Sequence, residues 1–414
     1  MLRHVNASGA ARARQWAVRA TLGLGVAGLL SACGGGDGTK EEPAAFVATP
    51  QSAASAVLVG ELLFKDPARS ASGRVACATF HDGKFGDADL PGVGLPKGGP
   101  AVTLSGMRSS PTARYLNTGF AFRLDASGQP FGGFTWDGRA DTRRRQAQDP
   151  FFDSVEMALP GSPEQPAELL KLVRAASYFN ELTALYKADE LDTDSKLFKR
   201  VSELLEIYQR DDVDYNLFDS RFDQSLAGGA ALTAAEARGL AIFRDPARGN
   251  CASCHTADGQ QPVFTNFGYA ALGVPRNHAG PKNADPAFFD LGLCARNKAV
   301  DPEVKGVARY CGLFKTPTLR NITRSAPYFH NGAIASLPDA VRFHFTRDTE
   351  PARWYRKADG SVDGAYNDLP AAYRANLSRG QPFAATWVPA EADMADLMAF
   401  LATLDDADQT EPLK

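Results

Sequence analysis

The five residues 251–255 read Cys-Ala-Ser-Cys-His, and this segment constrains the chain more than any other feature. In this spacing the thiols of Cys251 and Cys254 can form thioether bonds to the two vinyl groups of a haem. The imidazole of His255 follows directly and falls beneath the iron as an axial ligand. The segment therefore predicts a covalently attached haem c and a fold built around a large, flat cofactor.

A second segment, residues 77–81, reads Cys-Ala-Thr-Phe-His and keeps only part of this pattern. Cys77 and His81 are in place, but Phe80 stands where the second thiol is needed, and a phenyl ring cannot form a thioether. Three outcomes are open: a haem held by Cys77 alone with His81 as its axial ligand, a haem bound without a covalent bond, or no haem. We favour the single thioether, which predicts a second haem c with an open iron face.

The sequence before each segment is repeated, which argues against two chance clusters of Cys and His. Residues 64–69 read Phe-Lys-Asp-Pro-Ala-Arg, and residues 243–248 read Phe-Arg-Asp-Pro-Ala-Arg. Each string follows an apolar helical stretch, at residues 56–64 and 234–243. Each unit therefore reads as helix, turn and haem segment, and we predict two related units.

A chain of 414 residues suits two domains, because single cores rarely grow beyond about 250–300 residues. We place the boundary at Gly228 and Gly229, ahead of Thr233, which can cap a helix together with Glu236. The predicted domains are then residues 56–227, which we call the first unit, and residues 228–414, which we call the second unit.

The fold class is predicted to be mostly α, with long irregular loops. Helical patterns are clearest at residues 166–175, 195–209, 232–243, 337–345 and 390–404. Long Gly- and Pro-rich loops such as 85–100 and 260–286 separate them, and no sustained alternation of polar and apolar residues indicates a large sheet. The net charge of −3 gives no case for nucleic acid as a partner.

The N-terminus, residues 1–33, has the organisation of a bacterial lipoprotein signal. A basic region precedes a short apolar run at residues 20–30, which ends in Leu-Ser-Ala-Cys-Gly. In this interpretation Cys33 is the lipidated first residue of the mature chain, and residues 34–55 form a flexible tether. The alternative is an ordinary secretory signal with an incidental cysteine. We expect a periplasm-facing protein held to a bacterial membrane, the outer rather than the inner, by its lipid alone.

Export also predicts the state of the two remaining cysteines, Cys294 and Cys311. In an oxidising compartment they are expected to form a disulfide that closes the loop between them. The alternative is two buried free thiols.

Three further motifs go beyond a generic haem protein. Residues 136–139 read Trp-Asp-Gly-Arg, residues 316–321 read Thr-Pro-Thr-Leu-Arg-Asn, and residues 326–332 read Ala-Pro-Tyr-Phe-His-Asn-Gly. Together they resemble the bacterial di-haem cytochrome c peroxidase family, which includes the MauG-type enzymes of methylamine utilisation. The resemblance implies two cytochrome-c-like domains, with a peroxide-reacting haem in the first, an electron-transfer haem in the second and a calcium ion between them.

The resemblance also assigns the catalytic side of the first haem. A Gln, a Pro and a Glu follow the Trp-Asp-Gly-Arg motif at fixed spacing in the family, and here they are Gln146, Pro150 and Glu156. A carboxylate is needed there, because cleavage of peroxide moves a proton from the inner to the outer oxygen. Taken alone, Glu156 could equally be a surface or helix-start carboxylate. Trp136 is expected between the haems as an electron relay, a role compatible with a place in the core.

The second axial ligand of the second haem lies, in the family, fourteen residues after the His of the Tyr-Phe-His-Asn-Gly motif. It is Met in the peroxidases and Tyr in the MauG-type enzymes, whereas counting from His330 leads here to His344. The sequence thus predicts a bis-histidine iron, His255 with His344, and a lower reduction potential than a His/Met iron has. The alternative is a core histidine.

The remaining candidates are expected to support these sites. By the same resemblance, the carbonyls of Ser325 and Pro327 would bind the calcium, with Asn117 as the side-chain ligand. His330 is expected near the calcium and the haem edge without binding iron. His278 is expected on a loop or at the surface rather than as a distal ligand.

Three functions are compatible with these residues. The first is a peroxidase that reduces hydrogen peroxide with electrons from a small cytochrome c or a cupredoxin. The second is MauG-type, peroxide-dependent oxidation of a partner protein. The third is a lipoprotein that only relays electrons through its second haem. A homodimer is compatible with each of them.

Overall fold

A computed structural model of the chain describes residues 50–88, 95–296 and 303–409. The predicted lipoprotein signal with Cys33, and residues 34–49 of the predicted tether, lie outside them, so the lipid anchor stays a prediction. The tether prediction is wrong for residues 50–55, because the first helix already begins at Pro50. Proline is well suited to the first position of a helix, and the small residues that follow it allow the helix to form.

The described chain is mostly helical, as the sequence predicts. The α-helices are α1 (Pro50–Lys65), α2 (Cys77–Phe80), α3 (Arg143–Gln146), α4 (Ala167–Arg174), α5 (Phe179–Ala184), α6 (Asp194–Asp211), α7 (Arg221–Leu226), α8 (Ala234–Arg244), α9 (Leu337–Thr346), α10 (Pro351–Trp354) and α11 (Glu391–Ala402). The five strongest sequence patterns correspond to α4, α6, α8, α9 and α11, with ends that differ by a few residues. Over the residues with described positions, no helix has the length and apolar character needed to cross a membrane.

Sheet structure in the described residues is limited to three antiparallel pairs of two-residue strands. They are β1 (Lys97–Gly98) with β2 (Leu104–Ser105), β3 (Arg123–Leu124) with β4 (Pro130–Phe131), and β5 (Tyr269–Ala270) with β6 (Phe314–Lys315). In the third pair Tyr269 faces Lys315, and the Lys315 amide also donates to the Trp136 carbonyl at 2.8 Å. These strands therefore join loops around the sites and do not form a layer of their own.

Buried apolar side chains form two large clusters along the chain. The first extends over residues 56–215 and is built mainly from α1, α4 and α6. The second extends over residues 222–404 and is built mainly from α8, α9 and α11. Phe222 on α7 already packs in the second cluster, ahead of the seam predicted at residue 228. The two domains and their boundaries stay a prediction that these clusters favour.

In each cluster the first helix crosses the last helix at a glycine. α1 crosses α6 at Gly60, where an added Cβ atom would overlap the carbonyl oxygen of Leu204. α8 crosses α11 at Gly239, where a Cβ atom would overlap the carbonyl oxygen of Asp396. Each glycine lies four residues before the phenylalanine of the repeated string. The internal repeat therefore extends from the sequence to the way the helices pack.

A third, smaller cluster surrounds a disulfide. The sulfur atoms of Cys294 and Cys311 are joined, 2.08 Å apart, which is the pairing expected from an exported chain. Leu293, Val304 and Tyr310 are buried around it. The disulfide thus closes a loop of the second unit in a region that has little regular structure of its own.

We predict that Gly60→Ala and Gly239→Ala each lower the free energy of unfolding by about 1–3 kcal/mol, because the added methyl group forces two packed helices apart. This cost exceeds the roughly 1 kcal/mol that alanine gains over glycine within a helix. Urea denaturation followed by circular dichroism measures the change. Gly364→Ala is the control, because an added Cβ there meets nothing within 4 Å. Equal stability of all three variants would contradict this account of the helix crossings.

Candidate haem-binding sites

A cavity of ≈ 790 Å³ brings together the residues predicted for the first haem. Cys77 and His81 line it from α2 and its C-cap. The three residues predicted for the peroxide side and the predicted relay residue line the same cavity: Gln146, Pro150, Glu156 and Trp136. Residues up to 79 positions apart in the sequence, from Cys77 to Glu156, therefore meet around one space.

The ring of His81 is oriented by the backbone. Its Nδ1 atom lies 3.1 Å from the carbonyl oxygen of Asp87, so Nδ1–H donates and Nε2 is the nitrogen left to bind a metal. Burial lowers the pKa of His81 despite the opposing effect of the Asp87 and Pro111 carbonyls. A neutral imidazole with a fixed tautomer is the form that ligates iron.

The thiol of Cys77 is free and half-buried beside this histidine. Removal from water and, to a lesser extent, the negative charge of Glu156 raise the pKa of the Cys77 thiol to about 12. Glu156 therefore lies close enough to Cys77 for their charges to interact. Phe80, which stands at the sequence position of the second thiol, is 7% exposed, packs in the first apolar cluster and lines the same cavity.

Local structure places the peroxide-side residues. Gln146 ends α3, whose N-cap Thr142 accepts a hydrogen bond from the Arg145 amide at 3.0 Å. The backbone of Glu156 is held by β1, because its carbonyl accepts a hydrogen bond from the Gly99 amide at 2.8 Å. A side chain at Gly98 would collide with the Glu156 backbone, so this close approach requires glycine.

A second cavity, of ≈ 560 Å³, is lined by the predicted residues of the second haem: Cys251, Cys254, His255 and His344. The two cysteines are free thiols. His255 donates from Nδ1 to the carbonyl of Phe264 at 3.0 Å, and His344 donates from Nδ1 to the carbonyl of Ala340 at 2.8 Å. Both imidazoles therefore keep Nε2 for a ligand.

Burial lowers the pKa of both imidazoles in this second cavity to about 4. The charge of His344 contributes to the lowered pKa of His255, so the two imidazoles lie near enough to interact. Phe329 and Phe383 stand beside the His344 ring, with centroids 5.6 and 5.4 Å from it. The arrangement offers two neutral imidazoles to one flat, apolar space.

Trp136 lines both cavities, which is the position expected of a relay. Its indole Nε1 donates to the carbonyl of Ser109 at 2.8 Å. The next residue, Asp137, pairs with Arg108 at 2.8 Å, and this guanidinium holds the pKa of Asp137 below its usual range. Arg108 also pairs with Asp290 at 2.7 Å, so the tryptophan lies next to a fixed ion-pair network.

The three residues predicted to bind calcium are only partly brought together. Ser325 and Pro327 line the second cavity, whereas Asn117 is exposed. Within the described ranges, no group of three or more His, Cys, Asp or Glu side chains could hold a metal ion. Calcium bound mainly by carbonyls stays a prediction.

The other two described histidines differ in their surroundings, and the expectation that neither binds iron stays a prediction. His330 is buried, lines the second cavity and stacks on Phe314 with ring centroids 3.5 Å apart. Its Nε2 atom has no hydrogen-bond partner. His278 is exposed and bonds the Arg356 carbonyl at 2.8 Å.

A second internal repeat went unrecognised in the sequence. Residues 110–114 read Ser-Pro-Thr-Ala-Arg, and residues 316–320 read Thr-Pro-Thr-Leu-Arg. In both copies the proline carbonyl raises the pKa of the nearby haem-segment histidine, Pro111 for His81 and Pro317 for His255. The shared Pro-Thr-x-Arg string was the signal that could have revealed it.

The threonine of each copy holds the loop that carries the carbonyl partner of the histidine. Thr112 donates from Oγ1 to the Gly86 carbonyl at 2.5 Å, next to Asp87. Thr318 donates from Oγ1 to the Val263 carbonyl at 2.6 Å, next to Phe264. Free thiols, oriented imidazoles and duplicated supports thus make the two cavities fit two haems, and the single thioether at the first stays a prediction.

Comparison with known proteins agrees with this geometry. A family profile described as di-haem cytochrome c peroxidase matches residues 54–231. Methylamine utilization protein MauG of Paracoccus denitrificans (strain Pd 1222) is 35% identical over 311 residues, covering 72% of this chain and 76% of that protein. The cytochrome c551 peroxidase of Nitrosomonas europaea is 28% identical over 302 residues, covering 71% of this chain and 73% of that protein.

A solved structure has the same fold. The diheme peroxidase BthA from Burkholderia thailandensis E264 matches with a TM-score of 0.77 and 34% sequence identity, and the match covers 90% of both chains. The chain therefore belongs to the di-haem cytochrome c peroxidase family, whose cofactor is haem c, and it is an oxidoreductase of the cytochrome c peroxidase kind.

Proposed function

We propose that the chain reduces hydrogen peroxide at a first haem, with electrons that enter through a second haem from a small cytochrome c or a cupredoxin. One observation carries the proposal: Gln146, Pro150 and Glu156 line the same cavity as Cys77 and His81. A proton-transferring carboxylate thus stands in the space where the iron ligand and the thioether donor also lie. Reduction of one peroxide to two waters consumes two electrons and two protons, so a redox partner is required.

When bound, the haem supplies the redox chemistry that breaks the oxygen–oxygen bond. Glu156 takes the proton of the inner peroxide oxygen and returns it to the outer oxygen, so that water rather than hydroxide leaves. Gln146 provides an amide that can donate and accept hydrogen bonds, which orients the peroxide. Pro150 has no N–H group and therefore shapes the cavity without competing for the substrate.

Trp136 is proposed to connect the two sites. It lines both cavities, and its Nε1–H is already bound to the Ser109 carbonyl at 2.8 Å. This hydrogen bond helps to orient a ring that lines both cavities, which supports its proposed role as the relay through which electrons from the second site reach the first. The second site itself is proposed to be bis-histidine, with His255 and His344 on the same iron.

A MauG-type oxidation of a partner protein is the second candidate, and the 35% identity to MauG favours it. The two functions differ in what is consumed. Steady turnover of peroxide with a reduced small cytochrome supports the peroxidase, whereas peroxide-dependent modification of a partner protein supports the MauG-type reaction. Reduction of the second haem without any peroxide reaction would leave only an electron relay.

The location of the enzyme, its lipid, its calcium ion and its oligomeric state are further parts of the proposal. Export to the periplasm, a lipid on Cys33 that holds the chain to the outer membrane and a calcium ion near Ser325 and Pro327 all stay proposals. A homodimer also stays a proposal. The mass of the mature chain tests the lipid and the number of haems together.

We predict that Glu156→Gln lowers the rate of peroxide reduction by about 10²–10⁴-fold, because the amide cannot carry the proton between the two oxygens. The haem content should not change. Stopped-flow reduction of peroxide with a reduced small cytochrome measures the rate. Glu164→Gln is the control, since Glu164 is an exposed carboxylate eight residues away in sequence. A rate for Glu156→Gln within twofold of the wild type would remove Glu156 from the mechanism.

We predict that the wild-type chain carries two haems, one of them with the shifted pyridine haemochrome band of a single thioether. Phe80→Cys should supply the second thiol and move that band to the position of an ordinary haem c, without changing the count. Finding one haem per wild-type chain would contradict the proposed first site. Two haems and no band shift in Phe80→Cys would instead indicate that Cys77 does not form the thioether.

We predict that His344→Met raises the reduction potential of the second haem, because a thioether donates less strongly than imidazole and stabilises ferric iron less. A redox titration followed at the absorption band of the second haem measures this change. His278→Met is the matched control, because His278 is exposed and bonds only a backbone carbonyl. An unchanged potential in His344→Met would show that His344 is not the ligand.

A further inference from the structure

The last described residues of the chain lie against the loop that follows the first haem segment. We call residues 405–409 the C-terminal strap and residues 83–87 the proximal loop. The Gln409 side chain accepts a hydrogen bond from the Gly86 amide at 2.9 Å and donates to the Gly83 carbonyl at 2.7 Å. One side-chain amide of the second unit therefore bonds both ends of a turn in the first unit.

Arg114 forms the second link between the strap and the proximal loop. Its guanidinium donates to Asp87 of the loop at 2.7 Å, and to Asp406 and Asp408 of the strap at 3.1 and 2.8 Å. Arg114 is 2% exposed. Charge-assisted hydrogen bonds of this kind are short and directional, and their geometry is maintained best where water is excluded. Three carboxylates thus converge on one buried cation.

The strap is itself held at its centre. Asp406 is fully buried and accepts hydrogen bonds from the Tyr115 hydroxyl and from the Asn321 side chain, the latter at 2.7 Å. The Asp406 amide donates back to the Asn321 side chain at 2.8 Å. Tyr115 and Asn321 each follow the arginine of a Pro-Thr-x-Arg repeat. Asp406 therefore joins the two repeats, and with them the supports of both haem-segment histidines.

The second site has no counterpart to this arrangement in the described part of the chain. Its repeat arginine, Arg320, is also buried and holds the corresponding loop through the Pro262 carbonyl at 2.9 Å. Its carboxylate partner is Asp223 alone. The first site thus has three carboxylates around its arginine, whereas the second site has one.

We propose that the C-terminal strap is a positioning element for His81 and makes this imidazole a stronger electron donor to the first iron. The inference rests on the proposed function, because it requires a haem in the first cavity. The path is short: the strap holds Arg114, Arg114 holds Asp87, and the Asp87 carbonyl binds Nδ1 of His81. A fixed acceptor with surplus negative charge increases the basicity of a ligating imidazole. It thereby favours the oxidised iron that reacts with peroxide.

The test measures the first haem directly in the full chain with both haems. Asp406→Asn and Asp408→Asn each remove one negative charge from the strap, and Asp408→Glu restores the charge at a site that is 42% exposed and has room for it. Asp396→Asn is the matched control, because it makes the same change on α11, where Asp396 pairs with Arg238 at 2.7 Å. The readouts are the reduction potential of the first haem and the iron–histidine stretching frequency in resonance Raman spectra.

We expect Asp406→Asn to raise the ratio of ferrous to ferric first haem, at fixed ambient potential, by roughly tenfold. The stretching frequency should fall. Asp408→Asn should act in the same direction but less, since solvent screens its charge, and Asp408→Glu should match the wild type. The second haem should change less than the first in Asp406→Asn, because Asp406 reaches the second support only through Asn321, and it should not change in the two Asp408 variants. Asp396→Asn should leave both haems unchanged.

Each other outcome has a distinct meaning. A wild-type chain with a single haem removes the proposed function and this inference with it. Two haems in the wild type, with an unchanged first-haem potential and stretching frequency in Asp406→Asn, overturn the inference alone. If Asp406→Asn does not fold, the pair Asp408→Asn and Asp408→Glu decides: equal spectra and potentials in these two variants overturn the inference.

Discussion

One hydrogen bond, from the Nδ1 atom of each haem-segment histidine to a backbone carbonyl, determines how both sites are built. The accepting residues, Asp87 and Phe264, have φ angles of 53° and 52°, a left-handed conformation that non-glycine residues seldom adopt. Such a conformation persists only where the surroundings hold it. Here the surroundings are a threonine hydroxyl and a buried arginine from the Pro-Thr-x-Arg repeat, in both copies. The repeat therefore fixes the orientation of each imidazole by holding the loop that carries its carbonyl partner.

The two copies share this scaffold and differ in what they add to it. In the second cavity α9 supplies His344, whose ring has Phe329 and Phe383 as neighbours, and we propose that it occupies the second axial position of the iron that His255 also binds. In the first cavity the corresponding space is lined by Gln146, Pro150 and Glu156, which offer a proton carrier and no nitrogen ligand. We therefore propose that the same support carries a closed site for electron transfer and an open site for peroxide. The family resemblance predicts this division, and the separate linings of the two cavities support it.

The sequence predicted best those features that depend on neighbouring residues. The Cys-Ala-Ser-Cys-His segment, the helices with strong periodicity such as α6 and α9, and the capping pair Thr233 and Glu236 are all local patterns. The Cys294–Cys311 pairing followed from export and from the assignment of the other cysteines. What the sequence could not show is contact at long range. Arg114 pairs with Asp406, 292 residues away, and β5 pairs with β6 across more than forty residues. The early start of α1 at Pro50 was missed because the Gly-, Ala- and Pro-rich composition of residues 34–55 is typical of one tether, and the calcium role of Asn117, whose side chain is exposed, stays a prediction.

The loss of one thiol and the presence of the strap occur on the same site, and physical reasons connect them. A haem held by two thioethers stays in place when its axial bond breaks, whereas a haem held by Cys77 alone can swing about a single linkage. In the single-thioether site that we propose, Phe80 offsets part of this loss, because an aromatic ring that packs in the first core also adds apolar surface to the haem cavity. Phe80 cannot fix the orientation of the haem. The orientation of the haem then depends on the bond from the iron to His81, and therefore on the Asp87 carbonyl that orients the His81 imidazole. A unit with one thioether needs a more rigid proximal loop than a unit with two, and the first unit has that loop tied by Gln409 and by three carboxylates around Arg114.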